Sequence, residues 1–315
     1  MAPGRTQQAD VVNMNHQTNH HGVVVPMVTP VAANGHLDES AVDRIIDSLL
    51  AGGVEAIFVA GTTGESIGVP LAMRRRLVER SVARVQRRAL VYAGLGDIHP
   101  DEVAAGNEYL QAGVDAVVAR PPVSFPTHQL LDWYRLVLDR LNGPTFLYNI
   151  PATTNVSVPL GVVMQLAEHP KLIGIKDSEN DAGRLTELLQ RLGHRPRFSI
   201  LIGVGSFMVP GLKQGAAGIV PSVGNLIPGV CQKFYESAQR GDWVDAERQF
   251  DRMKAVTELY QKGRTIGESL SVLKSAMALR GLCGPDVVPP LRQVSAAERE
   301  KLREQMVALQ LLDSK

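Results

Sequence analysis

The chain has 315 residues, 44% of them apolar, and its 33 basic side chains nearly balance its 32 acidic ones. That length can bury a large core, either as one α/β barrel or as two smaller domains. The formal net charge of +1 gives no electrostatic reason to expect nucleic acid or a membrane surface as a partner, and no apolar stretch approaches the roughly 18 residues that span a bilayer.

Residues 1–21 are polar, rich in Gln, Asn and His, and lack the apolar run of a secretory signal. This segment contains His16, His20 and His21. We expect a disordered, solvated tail there rather than a metal site. The two cysteines, Cys231 and Cys283, have no metal-ligand spacing, which favours small buried side chains in a reduced, cytoplasmic protein.

From residue 22 to residue 240, short apolar runs alternate with longer amphipathic segments. The apolar runs are rich in β-branched residues and do not alternate with polar ones, which is typical of strands buried on both faces. They recur about every 25 to 30 residues, the length of one βα unit. The predicted strands are 23–28, 56–60, 90–93, 116–119, 145–148, 172–175, 198–202 and 217–220.

The amphipathic segments predict helices between these strands. The first begins after Asp38, a suitable N-cap, and ends before Gly52, a residue that commonly stops helices. Further helices are predicted over 71–86, 101–112, 129–141, 160–167, 182–192 and 228–239. Beyond Gly241 the strand pattern ends, and helices are predicted over 242–261, 268–279 and 295–312, the last opened by a capping box of Ser295 and Glu298.

Eight strand–helix units over 22–240 predict an α/β fold, a (β/α)8 TIM barrel, and residues 241–315 add a C-terminal three-helix region. A doubly wound open sheet has the same alternation and is the alternative. The count of eight favours the barrel, as does the lack of a G-x-G-x-x-G sequence after the first strand.

Lys176 follows the apolar run of the sixth predicted strand and precedes the polar turn at Asp177. Withdrawing a lysine from water favours the neutral amine, which is the form that attacks a carbonyl carbon. A solvated strand end is the commoner alternative at such a position. Four other lysines are expected in solvated helical segments: Lys213, Lys254, Lys274 and Lys301.

Catalytic groups of a TIM barrel lie at the C-terminal ends of its strands. After the second predicted strand comes GTTGES (61–66), whose glycines permit close backbone approach and whose hydroxyl and N–H groups can bind an anion. A capped turn is the simpler alternative, and no Gly-Lys-Ser/Thr follows as in a nucleotide P-loop. Tyr148 ends the fifth strand, one strand from Lys176, where its hydroxyl is either a proton carrier or a buried core group.

Three motifs, GTTGES (61–66), YNIP (148–151) and IGIKDS (173–178), resemble those of the dihydrodipicolinate synthase / N-acetylneuraminate lyase family of class I Schiff-base aldolases. The resemblance covers residues 22–312. It implies that Lys176 forms a Schiff base with the keto group of pyruvate or a longer 2-oxo acid, with an aldehyde as co-substrate or product. It also implies a homotetramer, and it requires no metal or organic cofactor.

The same resemblance assigns roles to the other site residues. Tyr148 is implied to carry protons, assisted by Thr62, while Thr63 and the adjacent backbone N–H groups bind the carboxylate of the 2-oxo acid. The residues implied to bind substrate are Thr63, Gly61, Gly64, Val220, Gly203 and Ser222.

The sequence departs from the family's synthases at two positions that concern the second substrate. Thr153 stands where these synthases have an arginine for a carboxylate, and Val123 replaces a second tyrosine. Threonine provides no bidentate cationic clamp, so a synthase of lysine biosynthesis is disfavoured. Arg120 is the better replacement cation, with a surface ion pair as its alternative, whereas Arg184 is expected on a solvated helix face.

Sialic acid lyases resemble the chain in part, but their Asp-Glu pair after strand seven is Gly205-Ser206 here. The resemblance is greater to aldolases of 2-keto-3-deoxy sugar acids or 4-hydroxy-2-oxoglutarate, which we favour. A dehydratase using the same imine remains an alternative. A protein of another class, which binds a 2-oxo acid without turnover, is motivated by Val123.

Overall fold

A closed barrel of eight parallel strands forms the centre of the molecule. The computed structural model describes residues 20–96 and 100–313. The strands are β1 Gly22–Pro26, β2 Ala56–Val59, β3 Leu90–Gly94, β4 Ala116–Ala119, β5 Thr145–Asn149, β6 Leu172–Asp177, β7 Ser199–Ile202 and β8 Gly218–Ile219. They follow one another in sequence order, and β8 pairs with β1 to close the ring. The predicted TIM barrel is confirmed, and the open doubly wound sheet is excluded.

Helices alternate with the strands and then continue alone at the C-terminal end of the chain. They are α1 Glu39–Ala51, α2 Leu71–Val85, α3 Pro100–Gln111, α4 Leu130–Arg140, α5 Pro151–Thr154, α6 Leu160–Leu166, α7 Ala182–Leu192, α8 Met208–Lys213, α9 Pro228–Gln239, α10 Trp243–Gln261, α11 Ile266–Leu279 and α12 Ala296–Ala308. The sequence did not predict α5 or α8. The first is a single turn, and the second contains Pro210 and Gly211, two poor helix formers.

Helix capping agrees with the sequence at one end and differs at another. The Asp38 side chain accepts a hydrogen bond from the Ala41 N–H at 3.0 Å, so it caps α1 as predicted. The Ser295 hydroxyl accepts from the Glu298 N–H, but the Glu298 carboxylate accepts from Arg264 and does not complete the predicted capping box. A complete box opens α11 instead, between Thr265 and Glu268.

The apolar core has two layers because successive strand residues point to opposite sides of the barrel wall. Leu147 belongs to the layer between barrel and helices, whereas Tyr148 belongs to the layer inside the barrel. Lys176 lies opposite Tyr148 on the neighbouring strand. The alternation therefore directs the side chain of the candidate nucleophile inward, towards the barrel axis.

The N-terminal end of the barrel is covered by a residue that the sequence placed in the tail. His20 Nδ1 is 2.9 Å from the Tyr92 hydroxyl, its ring packs against Phe146, and burial lowers its pKa. The solvated-tail prediction is therefore wrong for His20, while residues 1–19, including His16, lie outside the described residues. Within 20–96 and 100–313 no three metal-ligating side chains come together.

Both cysteines are buried and unpaired, as expected for small core side chains. Burial raises the pKa of the Cys283 thiol to about 11 and that of Cys231 further still. In the part of the chain that the structure describes, no helix combines the length and the apolarity needed to cross a lipid bilayer.

Gly174 leaves no space for a side chain beside the candidate nucleophile. An added Cβ would lie 2.2 Å from the Ser199 carbonyl oxygen and 2.6 Å from the Phe146 ring. We expect Gly174→Ala to lower the free energy of unfolding by about 3 kcal/mol, because the barrel wall must shift to admit the methyl group. Denaturant unfolding followed by circular dichroism measures this. The control is Gly161→Ala in α6, where an added Cβ has no atom within 4 Å, so the free energy of unfolding should rise by about 0.5 kcal/mol. Equal unfolding free energies for the two variants would contradict the tight packing at Gly174.

Candidate active site

Lys176 and Tyr148 meet at the mouth of the barrel, in register on β6 and β5. The Lys176 Nζ lies 4.0 Å from the centre of the Tyr148 ring and 4.9 Å from that of Phe58. The residue is only 7% exposed, and among the described residues the amine has no hydrogen-bond or ion-pair partner. An amine held between aromatic faces without a carboxylate is available to react with a carbonyl compound.

Tyr148 connects the amine to the loop after β2. Its hydroxyl lies 3.5 Å from the Thr62 Oγ1, and its ring meets Phe58 edge to face. The structure thus brings together the three residues for which the sequence predicted catalytic roles. The arrangement can pass a proton between the phenol and the threonine hydroxyl, next to the lysine amine.

The loop 61–66 presents backbone donors. Its turn is closed by hydrogen bonds from the Glu65 N–H to the Thr62 oxygen and from the Ser66 N–H to the Gly61 oxygen. The N–H groups of Thr62, Thr63 and Gly64 have no acceptor among the described residues. Three consecutive free N–H groups form a site that suits an anion such as a carboxylate.

Two glycines of this loop pack closely against neighbouring segments. A Cβ on Gly61 would lie 2.7 Å from the Phe58 ring, which in turn contacts Lys176. The Gly64 carbonyl accepts a hydrogen bond from the Thr29 Oγ1 at 2.6 Å, which ties the loop to the segment after β1. The loop is therefore fixed on two sides, and its free donors remain near the barrel mouth.

Gly203, Val220 and Ser222 line one side of an open groove of about 760 Å³, at the ends of β7 and β8. The Gly203 N–H donates to the Asp177 oxygen at 2.8 Å, and Val220 packs in the same inner layer as Tyr148. The Ser222 hydroxyl lies 2.8 Å from that of Tyr260. The opposite side of the groove belongs to α10, through Phe250, Met253, Thr257 and Gln261.

Behind β5 and β6 lies a charged cluster that the sequence did not predict. Asp177 accepts from the Arg184 Nε at 2.9 Å and from the Asn149 side chain at 3.1 Å, while Glu179 accepts from Asn149 and from Ser157. Burial raises the pKa of Asp177, and the Arg184 guanidinium opposes this rise. The cluster ties β5 to β6, the two strands that carry Tyr148 and Lys176.

Two sequence expectations about cations are wrong because the side chains are buried. Arg184 was expected on a solvated helix face, yet its side chain is buried against Asp177. Lys274 was expected in solvent, yet it is 0% exposed and paired with Glu65. In neither case does the i, i+3, i+4 pattern of apolar residues along the helix reveal that the cation pairs with a carboxylate on another element.

The positions that depart from the family's synthases also have defined surroundings. Val123 is 46% exposed, and the Thr153 N–H and hydroxyl both bond to the Ile150 oxygen. Neither residue supplies a cation. Arg120 is 4% exposed, so its alternative as a surface ion pair is wrong, and its charge helps to lower the pKa of Glu102.

Comparisons with known proteins agree with this geometry. The dihydrodipicolinate synthetase family matches residues 19–309. A 4-hydroxy-tetrahydrodipicolinate synthase of Phenylobacterium zucineum is 30% identical over 284 residues, covering 89% of this chain and 94% of that protein. The solved dihydrodipicolinate synthase of Bacteroides thetaiotaomicron is 29% identical, with a TM-score of 0.86 over 91% of this chain and 98% of that one. YagE, a prophage protein of the dihydrodipicolinic acid synthase family from Escherichia coli, solved in complex with pyruvate, has a TM-score of 0.86 at 26% identity, over 93% and 99% of the two chains.

Proposed function

Because this chain belongs to the dihydrodipicolinate synthetase family, we propose that it is a class I lyase in which Lys176 forms a Schiff base with a 2-oxo acid. The observation that carries the proposal is the Lys176 amine, which lies buried 4.0 Å from the Tyr148 ring and has no carboxylate partner in 20–96 or 100–313. YagE, a relative of similar fold, was solved with pyruvate. Pyruvate is accordingly the proposed small-molecule partner.

The proposed reaction begins when the Lys176 amine attacks the keto carbon and water leaves, giving a protonated imine. The bond between the carbon next to the imine carbon and the hydroxyl-bearing carbon after it then breaks. Its electron pair forms the double bond of an enamine, and the electrons of the imine double bond move to nitrogen. An aldehyde is released, because the hydroxyl of the leaving carbon loses its proton to the Tyr148 oxygen, which gave its own proton to the departing water in the first step. The enamine takes up a proton at carbon, and water releases pyruvate and restores the amine.

The free N–H groups of the loop 61–66 support the other half of the site. They are proposed to bind the carboxylate of the 2-oxo acid together with the Thr63 hydroxyl, which holds the keto carbon near Lys176. Thr62 is proposed to assist Tyr148 across their 3.5 Å contact. Neither step requires a metal or an organic cofactor.

The proposed substrate is a 2-keto-3-deoxy sugar acid or a 4-hydroxy-2-oxoglutarate type compound. The groove at the ends of β7 and β8 has a polar rim, including Asn180, Ser206 and Ser222, which suits the hydroxyls of such a substrate. The cation that a synthase uses for its second carboxylate is replaced by Thr153, whose hydroxyl is directed to the Ile150 oxygen.

A second candidate, 4-hydroxy-tetrahydrodipicolinate synthase, is favoured by the name of the relative at 30% identity. N-acetylneuraminate lyase is less supported, because Gly205 and Ser206 provide no acidic acceptors for sugar hydroxyls. A homotetramer is proposed from family membership.

The experiment that tests the proposal has two parts. Incubation with pyruvate and borohydride should add one reduced pyruvate to the protein, at Lys176 by peptide mapping. Incubation with 2-keto-3-deoxy acids, 4-hydroxy-2-oxoglutarate or sialic acid, followed by pyruvate assay, should show release from one of the first two classes. If Lys176 stays unmodified after incubation with pyruvate and borohydride, the proposal is wrong.

The remaining outcomes assign the alternatives. Consumption of pyruvate with aspartate semialdehyde would make the protein a synthase, and release from sialic acid would make it a sialic acid lyase. Loss of water without an aldehyde product would show a dehydratase. A pyruvate adduct without turnover of any compound would show a binding protein.

A further inference from the structure

Glu65, the residue after the free N–H groups of the loop 61–66, is a buried carboxylate held by two hydrogen bonds. Its Oε1 accepts from the Lys274 Nζ at 2.7 Å, and its Oε2 accepts from the Val288 N–H at 2.6 Å. The side chains of Lys274 and Glu65 are 0% and 2% exposed. A charged pair this deep in a protein has little access to water, so its geometry is fixed by its partners.

Both partners of Glu65 come from the C-terminal helical region and not from the barrel. Lys274 lies on α11, and Val288 lies in the segment between α11 and α12. The same region contributes apolar contact, since Val288 packs with Val69 after the loop. The C-terminal region therefore contacts the barrel at the loop that presents the free backbone donors.

The backbone of Glu65 requires such support. Its φ of +56° lies in the left-handed region that side-chain-bearing residues rarely adopt. A strained conformation persists only where the surroundings hold it, and it commonly occurs at functional sites. Because the Glu65 N–H closes the turn onto the Thr62 oxygen, the conformation of Glu65 also determines where the N–H groups of Thr62, Thr63 and Gly64 point.

We propose that the Glu65–Lys274 pair is a positioning device by which the C-terminal helices hold the loop 61–66 in the conformation that binds the carboxylate of the 2-oxo acid. The inference rests on the proposed function, since that function assigns the carboxylate to this loop. Glu65 and Lys274 touch no substrate; they act through Thr62, Thr63 and Gly64. A buried ion pair can often be replaced by uncharged residues without loss of stability, which makes a role in positioning separable from a role in folding.

The test begins with the wild-type protein, whose pyruvate adduct under borohydride is measured against pyruvate concentration. The double variant Glu65→Gln/Lys274→Met then removes both buried charges together and keeps the side-chain volumes. We expect its melting temperature to stay close to that of the wild type. The pyruvate concentration for half-maximal trapping should rise about 10²-fold, because the donors of the loop are no longer aimed at the carboxylate.

Glu298→Gln is the matched control, because it breaks the Arg264–Glu298 ion pair of the same helical region without touching the loop. It should trap pyruvate as the wild type does. If the double variant does not fold, Glu65→Gln alone carries the test, since its single amide oxygen cannot accept from both the Lys274 Nζ and the Val288 N–H, so one of the two contacts to the C-terminal region is lost.

The outcomes separate this inference from the proposed function. A folded double variant, or a folded Glu65→Gln, with wild-type half-saturation overturns the positioning role. Failure of both variants to fold also overturns it, since the pair would then serve the fold as a whole. A wild-type protein that traps no pyruvate overturns the proposed function itself, before any variant is compared.

Discussion

Lys176→Met should abolish the pyruvate adduct and lower kcat/KM by about 10⁴-fold or more, as is typical when the nucleophile of a covalent mechanism is removed. Methionine keeps the apolar stem and places a polarisable sulfur between the rings of Phe58 and Tyr148, so the barrel mouth stays packed. The expected variant is therefore folded and inactive. Mass spectrometry after borohydride treatment and a steady-state assay measure the two effects.

Lys213→Met is the control for the loss of a lysine as such. Lys213 is exposed and paired with Glu247 on the outer surface, so the variant should form the adduct and turn over substrate like the wild type. A pyruvate adduct on any other lysine of the Lys176→Met variant would contradict the assignment of the nucleophile.

Tyr148→Phe should lower kcat by about 10²- to 10⁴-fold while the borohydride-trapped adduct still forms, because only proton transfer depends on the hydroxyl. The ring contacts with Lys176 and Phe58 are retained in phenylalanine, so binding should change little. Steady-state kinetics give kcat, and trapping against pyruvate concentration gives binding.

Tyr134→Phe is the matched substitution outside the site. The Tyr134 hydroxyl donates to the Ala119 oxygen at 3.4 Å, among the helices around the barrel. Its loss should leave kcat unchanged. Equal kcat values for the Tyr148→Phe variant and the wild type would show that another group carries the proton.

The barrel could be predicted from the sequence because each strand is recognisable from a short stretch of neighbouring residues. Each strand is a short, mostly apolar run, and the positions of Lys176 and Tyr148 at strand ends follow from that pattern alone. The direction of both side chains into the barrel follows from alternation along a strand. Lys176, Tyr148 and Thr62 could accordingly be proposed together as candidate catalytic residues, and the structure brings their side chains close to one another.

The misassigned cations have a common cause. Lys274 pairs with Glu65 across 209 positions of the chain, and Arg184 reaches Asp177 on another element. A lysine or arginine on a helix has the same local sequence whether it faces water or a buried carboxylate. Only the packing of α11 and α7 on the barrel distinguishes the two situations.

The groove that is proposed to select the substrate is built from contacts that no single motif contains. The groove beside Val220 and Ser222 takes its other wall from α10, a helix that begins more than twenty residues after β8. The shape of this groove depends on loop lengths and on the orientation of α10. Neither can be predicted from the three motifs that contain the candidate catalytic residues.

This division of the groove has an evolutionary consequence. The segments that follow β7 and β8 contribute one wall, and α10, a helix outside the barrel, contributes the other. Under the proposed function, we expect mutations on α10 to change which substrate the groove admits, while Lys176 and Tyr148 on β6 and β5 stay unaltered. Selectivity and reactivity would then be inherited on separate parts of the chain, and Thr257 and Gln261 are the positions at which we expect the substrate range to be changed.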